Sequence, residues 1–258
     1  MLTSGTKTLS YRPNSELKNG AYLRNYIQNR KYYLSSKRFF DIIFSLLATI
    51  FILSWLIPVV AILIKISSRG PVFFVQKRVG FLGRSFNCLK FRTMVINNEA
   101  HSKQAVDNDP RITRIGKFLR LSNLDEFPQF LNVLAGDMSI VGPRPHMYKD
   151  CSEFSAVIEN YRFRNLSKPG ITGLAQVKGY RGPAKDFESI FRRYQWDAFY
   201  VRNSNFWFDL RIIRKTAGQT ISFIFKSFLP KKDSHEEEQE RFYRRFLLQA
   251  RERMNTFL

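Results

Sequence analysis

The stretch from Leu119 to Pro145, LRLSNLDEFPQFLNVLAGDMSIVGPRP, places two adjacent acids, Asp125 and Glu126, in a chain of formal net charge +21. Pro128 follows the pair, and Arg120 and Arg144 flank it. Proline has no N–H to donate, so it is tolerated in a first helical turn and disruptive in a helix interior. The pattern therefore predicts a helix starting at or just before the acids and running through Phe127 to Leu134. Its cap is either Ser122, in an S-x-x-D box with Asp125, or Asp125 itself. Both choices put the acids at the positive end of a helix, where free N–H groups also attract phosphate oxygens. An acid kept ionised beside a phosphate-attracting site has the makings of a nucleophile; the plainer reading is that the pair only decorates a helix start.

Outward from this stretch, Gly136 reads as the helix C-cap. The turn Gly142-Pro143-Arg144-Pro145 presents an arginine between two prolines. Pro143 fixes its own φ and Pro145 pushes Arg144 toward an extended conformation, a stiff mount that suits bidentate phosphate binding. Upstream, Val72–Lys77 and Phe86–Phe91 read as a hairpin joined through Gly80 and Gly83, with Lys90 and Arg92 on one side of the second strand. RITRIGKFLR (111–120) has helical apolar spacing. Downstream, 154–163 reads as helical, KPGITG (168–173) as a tight turn followed by a short strand, LAQV, and 187–216 as helical, with Asp197, Tyr200 and Asp209 serving mainly in packing.

No charged side chain occurs from Ile42 to Ile64. As one helix these residues reach about 35 Å, enough for a hydrocarbon core of about 30 Å. Pro58 lies well inside, where it breaks or kinks a helix. Both flanks are basic, with Lys37 and Arg38 before and Lys65 and Arg69 after. A simple span would then carry cytoplasmic signals at both ends; a segment that enters, bends at Pro58 and returns removes the conflict. Ser54 or neighbouring side chains are expected to satisfy the backbone groups freed there.

The excess of 42 Lys+Arg over 21 Asp+Glu calls for a polyanionic partner. No helix-turn-helix, zinc-finger or RNP-like run is visible, so nucleic acid is not expected. Two cysteines make no disulfide framework, and three scattered histidines make no zinc site. Residues 1–35 form a basic arm without an apolar leader core. The segment 220–229 suits an interfacial helix, and 231–258 a charged amphipathic one.

Taken in order, KRFFDIIFSLL, the proline-broken apolar segment, SRGPVFFVQKRVG, FNCLKFRTM, RITRIGKFLR, LDEFPQFLNVLAGDMSIVGPRP and KPGITGLAQVKG resemble the bacterial sugar transferases. These are monotopic phosphoglycosyl transferases acting on polyprenol phosphate. The likeness runs from about Ser36 to Thr216 and departs from the family at Ile57, where many relatives have serine, and at Asn165–Leu166, where a histidine is common. It implies an α+β, mainly helical fold: a re-entrant membrane helix broken at Pro58 (36–68), a small hairpin, a compact cytosolic catalytic domain (69–218) and C-terminal interfacial helices (219–258). It also implies transfer of a sugar phosphate from a UDP-sugar to undecaprenyl phosphate at the cytoplasmic face of the inner membrane. Asp125 would be the nucleophile, and Glu126 would help hold Mg²⁺ with it or orient the phosphate. Lys90, Arg120 and Arg144 would bind phosphate on a turn shaped by Pro143 and Pro145. Downstream glycosyltransferases and a homo-oligomer are the further partners compatible with that role. The competing expectation is a non-catalytic basic protein that binds anionic lipid.

Overall fold

A computed structural model of the chain describes residue 26 and residues 28–97, 100, 105–106, 109–182 and 186–228. Most of the basic arm and the whole 231–258 segment lie outside the described residues. Contacts divide the chain into two units, Met1–Thr220 and Ile221–Leu258; of the second, residues 221–228 are described and are helical.

The first element is helix α1 (Lys31–Ala48), which passes through a π-helical turn (Thr49–Leu53) into α2 (Ser54–Ser67). Among the described residues, Lys31–Ser67 is the one stretch long and apolar enough to cross a membrane. Its buried stripe reads Lys37, Asp41, Ser45, Ala48, then Leu53, Leu56, Val60 and Ile64. Steps of three or four residues keep one face of an α-helix inward, whereas the step from Ala48 to Leu53 is five. The π turn absorbs that extra residue, so both halves present their stripe to the same body. Pro58 sits inside α2 and leaves the Ser54 carbonyl without its helical donor. Side chains serve the carbonyls just upstream: Thr49 Oγ1 donates to Ser45 O (2.7 Å), Ser54 Oγ to Ile50 O (2.6 Å) and Trp55 Nε1 to Phe51 O (2.8 Å). The opposite stripe, including Leu47, Phe51, Trp55, Val59, Ile62 and Ile66, is exposed and apolar along the helix.

Strands β1 (Phe73–Val79) and β2 (Ser85–Phe91) form the antiparallel hairpin, pairing Phe73 with Phe91 and Val79 with Ser85. The hairpin leads to α3 (Arg114–Ser122), capped by Thr113 Oγ1, which accepts from Gly116 N (2.9 Å). α3 ends at Asn123, whose φ of 65° is left-handed, a conformation asparagine tolerates. Here the structure corrects the expected helix start. The acids lie in a single 3-10 turn, Leu124–Glu126, and the next helix, α4 (Gln129–Ala135), begins only after Pro128. Ser122 caps nothing ahead of it; its hydroxyl donates back to Phe118 O (2.9 Å), closing the preceding helix. Gly136 ends α4 with φ 93°, as expected.

Strand β3 (Ser139–Val141) pairs in parallel with β4 (Gly170–Thr172). Between them run α5 (Tyr148–Val157) and a 3-10 segment, Tyr161–Leu166. LAQV is not a strand but a short helix, α6 (Leu174–Val177); the strand is the GIT just before it. All four residues of α6 are buried, which a one-face strand pattern cannot provide. Helices α7 (Phe187–Asn203) and α8 (Phe206–Phe228) follow.

A buried polar cluster fastens α1 to this body. Asp209 accepts from Lys37 Nζ (2.7 Å), the Tyr33 hydroxyl (2.9 Å) and the Tyr200 hydroxyl (2.7 Å), and Asp41 Oδ1 accepts from Ile140 N (3.0 Å). The packing role expected of Asp197, Tyr200 and Asp209 is what the structure shows. Apolar packing fastens α2: Leu56, Val60 and Ile64 bury against Phe91 and Leu119, with Leu124 and Phe127 alongside. The turn carrying the acids is thus wedged against the apolar helix by the residues on either side of it.

At the base of the site, β3 and β4 touch backbone to backbone. A Cβ on Gly142 would lie 2.2 Å from Lys168 O, and one on Gly170 would lie 2.1 Å from Gly142 N. Gly142→Ala is therefore expected to push the strands apart and break Gly142 N–H to Thr172 O (2.9 Å). The expected cost is about 1–3 kcal/mol, read as a lowered midpoint in thermal unfolding of the purified full chain.

Candidate active site

A cavity of about 620 Å³ opens beside the acid turn, a size suited to a small-molecule ligand. Its lining includes Lys90, Arg120, Asp125, Glu126, Arg144 and Pro145, so five of the expected phosphate-site and acid residues converge on one space. Pro143 stands behind the wall; its carbonyl accepts from Gly170 N (3.0 Å). Pro58 belongs to the apolar helix.

Glu126 is the electrostatic centre. Its Oε1 accepts from Lys90 Nζ (2.8 Å) and Arg144 Nη2 (2.7 Å), and its Oε2 from Arg144 Nη1 (3.1 Å) and Arg181 Nη2 (3.3 Å). Burial pushes this carboxyl up, but the charges of Arg144, Lys90 and Arg181 outweigh that and hold it well below the usual carboxylate range. The fork of Arg144 on both oxygens is the bidentate geometry its guanidinium favours.

Asp125 is different. It is buried and lines the cavity, yet among the described residues it has no hydrogen bond or ion pair. Burial raises its pKa, and the negative Glu126 raises it further, against the opposing pull of Lys90, Arg120 and Arg144. Two neighbouring acids thus hold distinct states: one is saturated with cations, and the other is unpartnered and more basic. A carboxylate without a partner, facing a cation-lined cavity, is equipped to attack an electrophile or bind an ion.

The elements that aim these side chains explain why they stay put. On α4, Asn132 Oδ1 accepts from Leu89 N (2.9 Å) and its Nδ2 donates to Asn87 O (2.8 Å), locking the edge of β2 that carries Lys90. The Gly-Pro-Arg-Pro turn is held by four successive carbonyls. Pro143 O is taken by β4, Arg144 O by Arg164 Nη2 (2.6 Å), Pro145 O by Arg78 Nη1 (3.3 Å) and His146 O by Val79 N (3.0 Å). Arg164 is itself fixed by Asp197, whose Oδ2 accepts from Arg164 Nε (3.0 Å) and Nη2 (2.8 Å). Arg92, expected on the same side as Lys90, lines the cavity but does not reach the acids; it donates to Ser68 O (2.9 Å) and Arg69 O (2.5 Å), at the end of α2.

Sequence reading overlooked Arg181, Arg193 and His146, which share the cavity wall. Arg181 stands in Gly179-Tyr180-Arg181-Gly182, and Gly179 has φ 98°. An arginine on a glycine-shaped turn is the same kind of signal as Gly-Pro-Arg-Pro. His146 bonds through Nδ1 to the Tyr161 hydroxyl (2.6 Å). Burial, with Arg164 and Arg193 close by, keeps its pKa well below the ordinary histidine value, so it is neutral at physiological pH.

Among the described residues no group of three or more His, Cys, Asp or Glu side chains is placed to hold a metal ion. Two carboxylates, one of them unpartnered, do match the sparse protein ligation of Mg²⁺, which keeps waters and takes substrate phosphate oxygens.

A cation-rich cavity with one unpartnered acid, set against an apolar helix, defines a site for anionic substrates. Sequence comparison agrees with this. The family model described as bacterial sugar transferase matches residues 32–223, and the chain belongs to that family. It is 44% identical over 196 residues to a UDP-glucose:undecaprenyl-phosphate glucose-1-phosphate transferase of Klebsiella pneumoniae, covering 76% of this chain and 40% of that protein. It is 43% identical over 185 residues to a UDP-N-acetylgalactosamine-undecaprenyl-phosphate N-acetylgalactosaminephosphotransferase of Aeromonas hydrophila, covering 71% of this chain and 43% of that one. A UDP-glucose:undecaprenyl-phosphate glucose-1-phosphate transferase of Caulobacter vibrioides is 41% identical over 187 residues, covering 72% and 70%. The matched region is about two fifths of the length of the first two relatives.

Arg164→Met tests how the arginine turn is mounted. It leaves Asp197 buried without its partner and releases the Arg144 carbonyl. Thermal unfolding is expected to show a loss of about 3–5 kcal/mol, the usual result of breaking a buried ion pair from one side.

Proposed function

We propose that this chain transfers a sugar phosphate from a UDP-sugar to undecaprenyl phosphate, releasing UMP. The observation that carries this reading is the division of labour in the acid pair: Glu126 is clamped by three cations while Asp125 faces the cavity with no partner. In the first step an Asp125 carboxylate oxygen attacks the β-phosphorus. The bond from that phosphorus to the bridging oxygen breaks, and its electron pair leaves with UMP. In the second step an oxygen of the lipid phosphate attacks the same phosphorus and the bond to Asp125 breaks, restoring the carboxylate. The products are UMP and undecaprenyl diphosphate sugar, so atoms and charge balance. The raised pKa of Asp125 makes it a stronger nucleophile than an exposed carboxylate, and the neighbouring cations favour its ionised form.

Glu126 serves by holding Lys90, Arg144 and Arg181 in fixed positions around the reacting phosphates, so that little reorganisation is needed when charge shifts. Among the described residues Arg120 has one weak side-chain hydrogen bond, to Thr93 Oγ1 at 3.3 Å, and its remaining donors are available to substrate oxygens. Asp125 and Glu126 Oε2, whose Arg181 contact is the longest in the cluster, are the oxygens that would hold Mg²⁺. The ion would neutralise phosphate charge. A purely lipid-binding scaffold explains the cations but gives Asp125 no task.

The shape of the apolar helix supports a re-entrant arrangement in the membrane. The body of the protein packs along one face of it from Lys37 to Ile64, while the opposite face is an exposed apolar stripe. A straight crossing would drag the charged body into the hydrocarbon. A segment that dips in and returns, bending near the π turn and Pro58, wets the stripe with lipid and leaves the cavity at headgroup depth on the cytoplasmic face. The lipid product would then be available there to later glycosyltransferases.

Two measurements test these points. With Mg²⁺ and undecaprenyl phosphate, a panel of UDP-sugars is expected to yield UMP with at least one donor. Asp125→Asn should lower that rate by about 10³-fold or more and abolish the sugar-phosphate adduct that mass spectrometry detects on the wild type without lipid. An adduct persisting in the variant would refute the assignment. Separately, Tyr32→Cys and Arg69→Cys, at exposed positions on either side of the apolar segment, should both react with an impermeant maleimide from the same face of membrane vesicles. Reaction from opposite faces would mean a spanning helix.

A further inference from the structure

The cavity wall carries seven lysine or arginine side chains against three acids, so it holds more positive charge than its own carboxylates balance. Most of those cations are already committed. Lys90 and Arg144 bond Glu126, Arg92 bonds the carbonyls of Ser68 and Arg69, and Arg78 bonds Pro145 O and Gln76 Oε1. Arg78 and Arg92 each keep one unmet Nε beside their two bonds; apart from Arg120, Arg181 and Arg193 are the cavity arginines held by one side-chain hydrogen bond each among the described residues.

Among the described residues the Arg181 side chain makes a single hydrogen bond, the 3.3 Å one to Glu126 Oε2. Arg193, on α7, is 7% exposed and bonds the Gly182 carbonyl through Nη2 (2.6 Å). Its Nε is buried without a partner, and no carboxylate is bonded to it among the described residues. The Gly182 carbonyl joins the two arginines into one unit, since Arg193 grips the residue next to Arg181. A buried guanidinium with an unmet N–H and no bonded carboxylate is costly as it stands, and an anion reduces that cost.

We infer that Arg181 and Arg193 form one phosphate subsite, occupied in turn by the departing nucleotide and the arriving lipid phosphate. The inference rests on the two-step reaction proposed above and adds a geometric requirement to it. Each step is a displacement at the same phosphorus, with the attacking and leaving oxygens roughly in line. When Asp125 attacks, the leaving oxygen of UMP lies opposite it. When Asp125 later leaves, the attacking oxygen of the lipid phosphate must come from that same opposite position. The two phosphates therefore use one place at different times. Arg120 belongs to the helix leading into the acid turn, whereas Arg181 and Arg193 come from the 179–182 turn and α7; Arg181 reaches Glu126 Oε2, and Arg193 lines the same cavity. On this reading the pair serves the group beyond the reacting phosphorus. Two ligands that differ in every other respect, a nucleotide and a lipid, would thus share the same guanidinium pair.

The test is equilibrium binding of UMP and of undecaprenyl phosphate, separately and together, to the full chain in detergent micelles. In the wild type each probe should displace the other. Arg181→Gln should weaken both by a similar factor, about tenfold, or about 1.4 kcal/mol. Its unfolding midpoint should stay close to the wild-type value, because that side chain makes one long contact. Arg193→Lys keeps the charge but loses the fork and should show a smaller, parallel loss for both probes. Loss for one probe alone, or simultaneous binding of both, would overturn the shared subsite. Unchanged affinity for both in folded variants would overturn it too, leaving the free Nε to an ordered water. If the wild type bound neither probe, the two-step function would fall first and the subsite with it.

Discussion

The site is built around one buried carboxylate that needs three cations to stay charged. Glu126 draws Lys90 from β2, Arg144 from the double-proline turn and Arg181 from the 179–182 turn onto its two oxygens. Those segments lie far apart in the chain, and no hydrophobic contact alone would align them so closely. The attraction works because the group is desolvated: in a low-dielectric setting each partner counts for more, and losing Lys90 or Arg144, which make the short contacts, leaves charge under-compensated. Asp125 is the beneficiary. With the cations drawn to its neighbour, it is left unpartnered at the cavity wall, more basic than a surface acid and still within their field.

Around that centre the supports are mostly backbone carbonyls held by side chains. Arg164, Arg78 and two strand amides hold the arginine turn, and Asn132 holds the strand that carries Lys90. Asp197 and Asp209 sit deeper, pairing with Arg164 and Lys37 and tying the last two helices to the turn and to the apolar helix. This layering separates tasks. The acid pair, Arg144 and Arg181 are carried on turns, and the packed elements beneath them fix where those turns stand.

Much of this could be read from the sequence, for reasons specific to each residue. Two prolines around Arg144 restrict its backbone whatever the fold, and an acid pair in a strongly basic chain needs an explanation. The hairpin followed from β-rich runs separated by Gly80 and Gly83. What misled was local ambiguity. Ser122 has the chemistry of a cap, yet its hydroxyl turns back to Phe118 O, and Asn123 takes the left-handed conformation that ends α3. LAQV is too short for periodicity to decide, and burial on all sides made it a helix. The roles of Arg181 and Arg193 depend on a turn and a helix some sixty residues after the acids folding back onto them, a contact that no local pattern encodes.

The five-residue step across the π turn has an effect beyond the helix itself. Each residue advances an α-helix by about 100°, so the same residues wound as a regular α-helix, without the π turn, would rotate everything downstream as a cam turns on its shaft. Leu56, Val60 and Ile64 would swing toward lipid and Trp55 toward Phe91 and Leu119. The winding of this segment is therefore set by the protein it leans on as much as by bilayer thickness, and a change of winding is a change of phase.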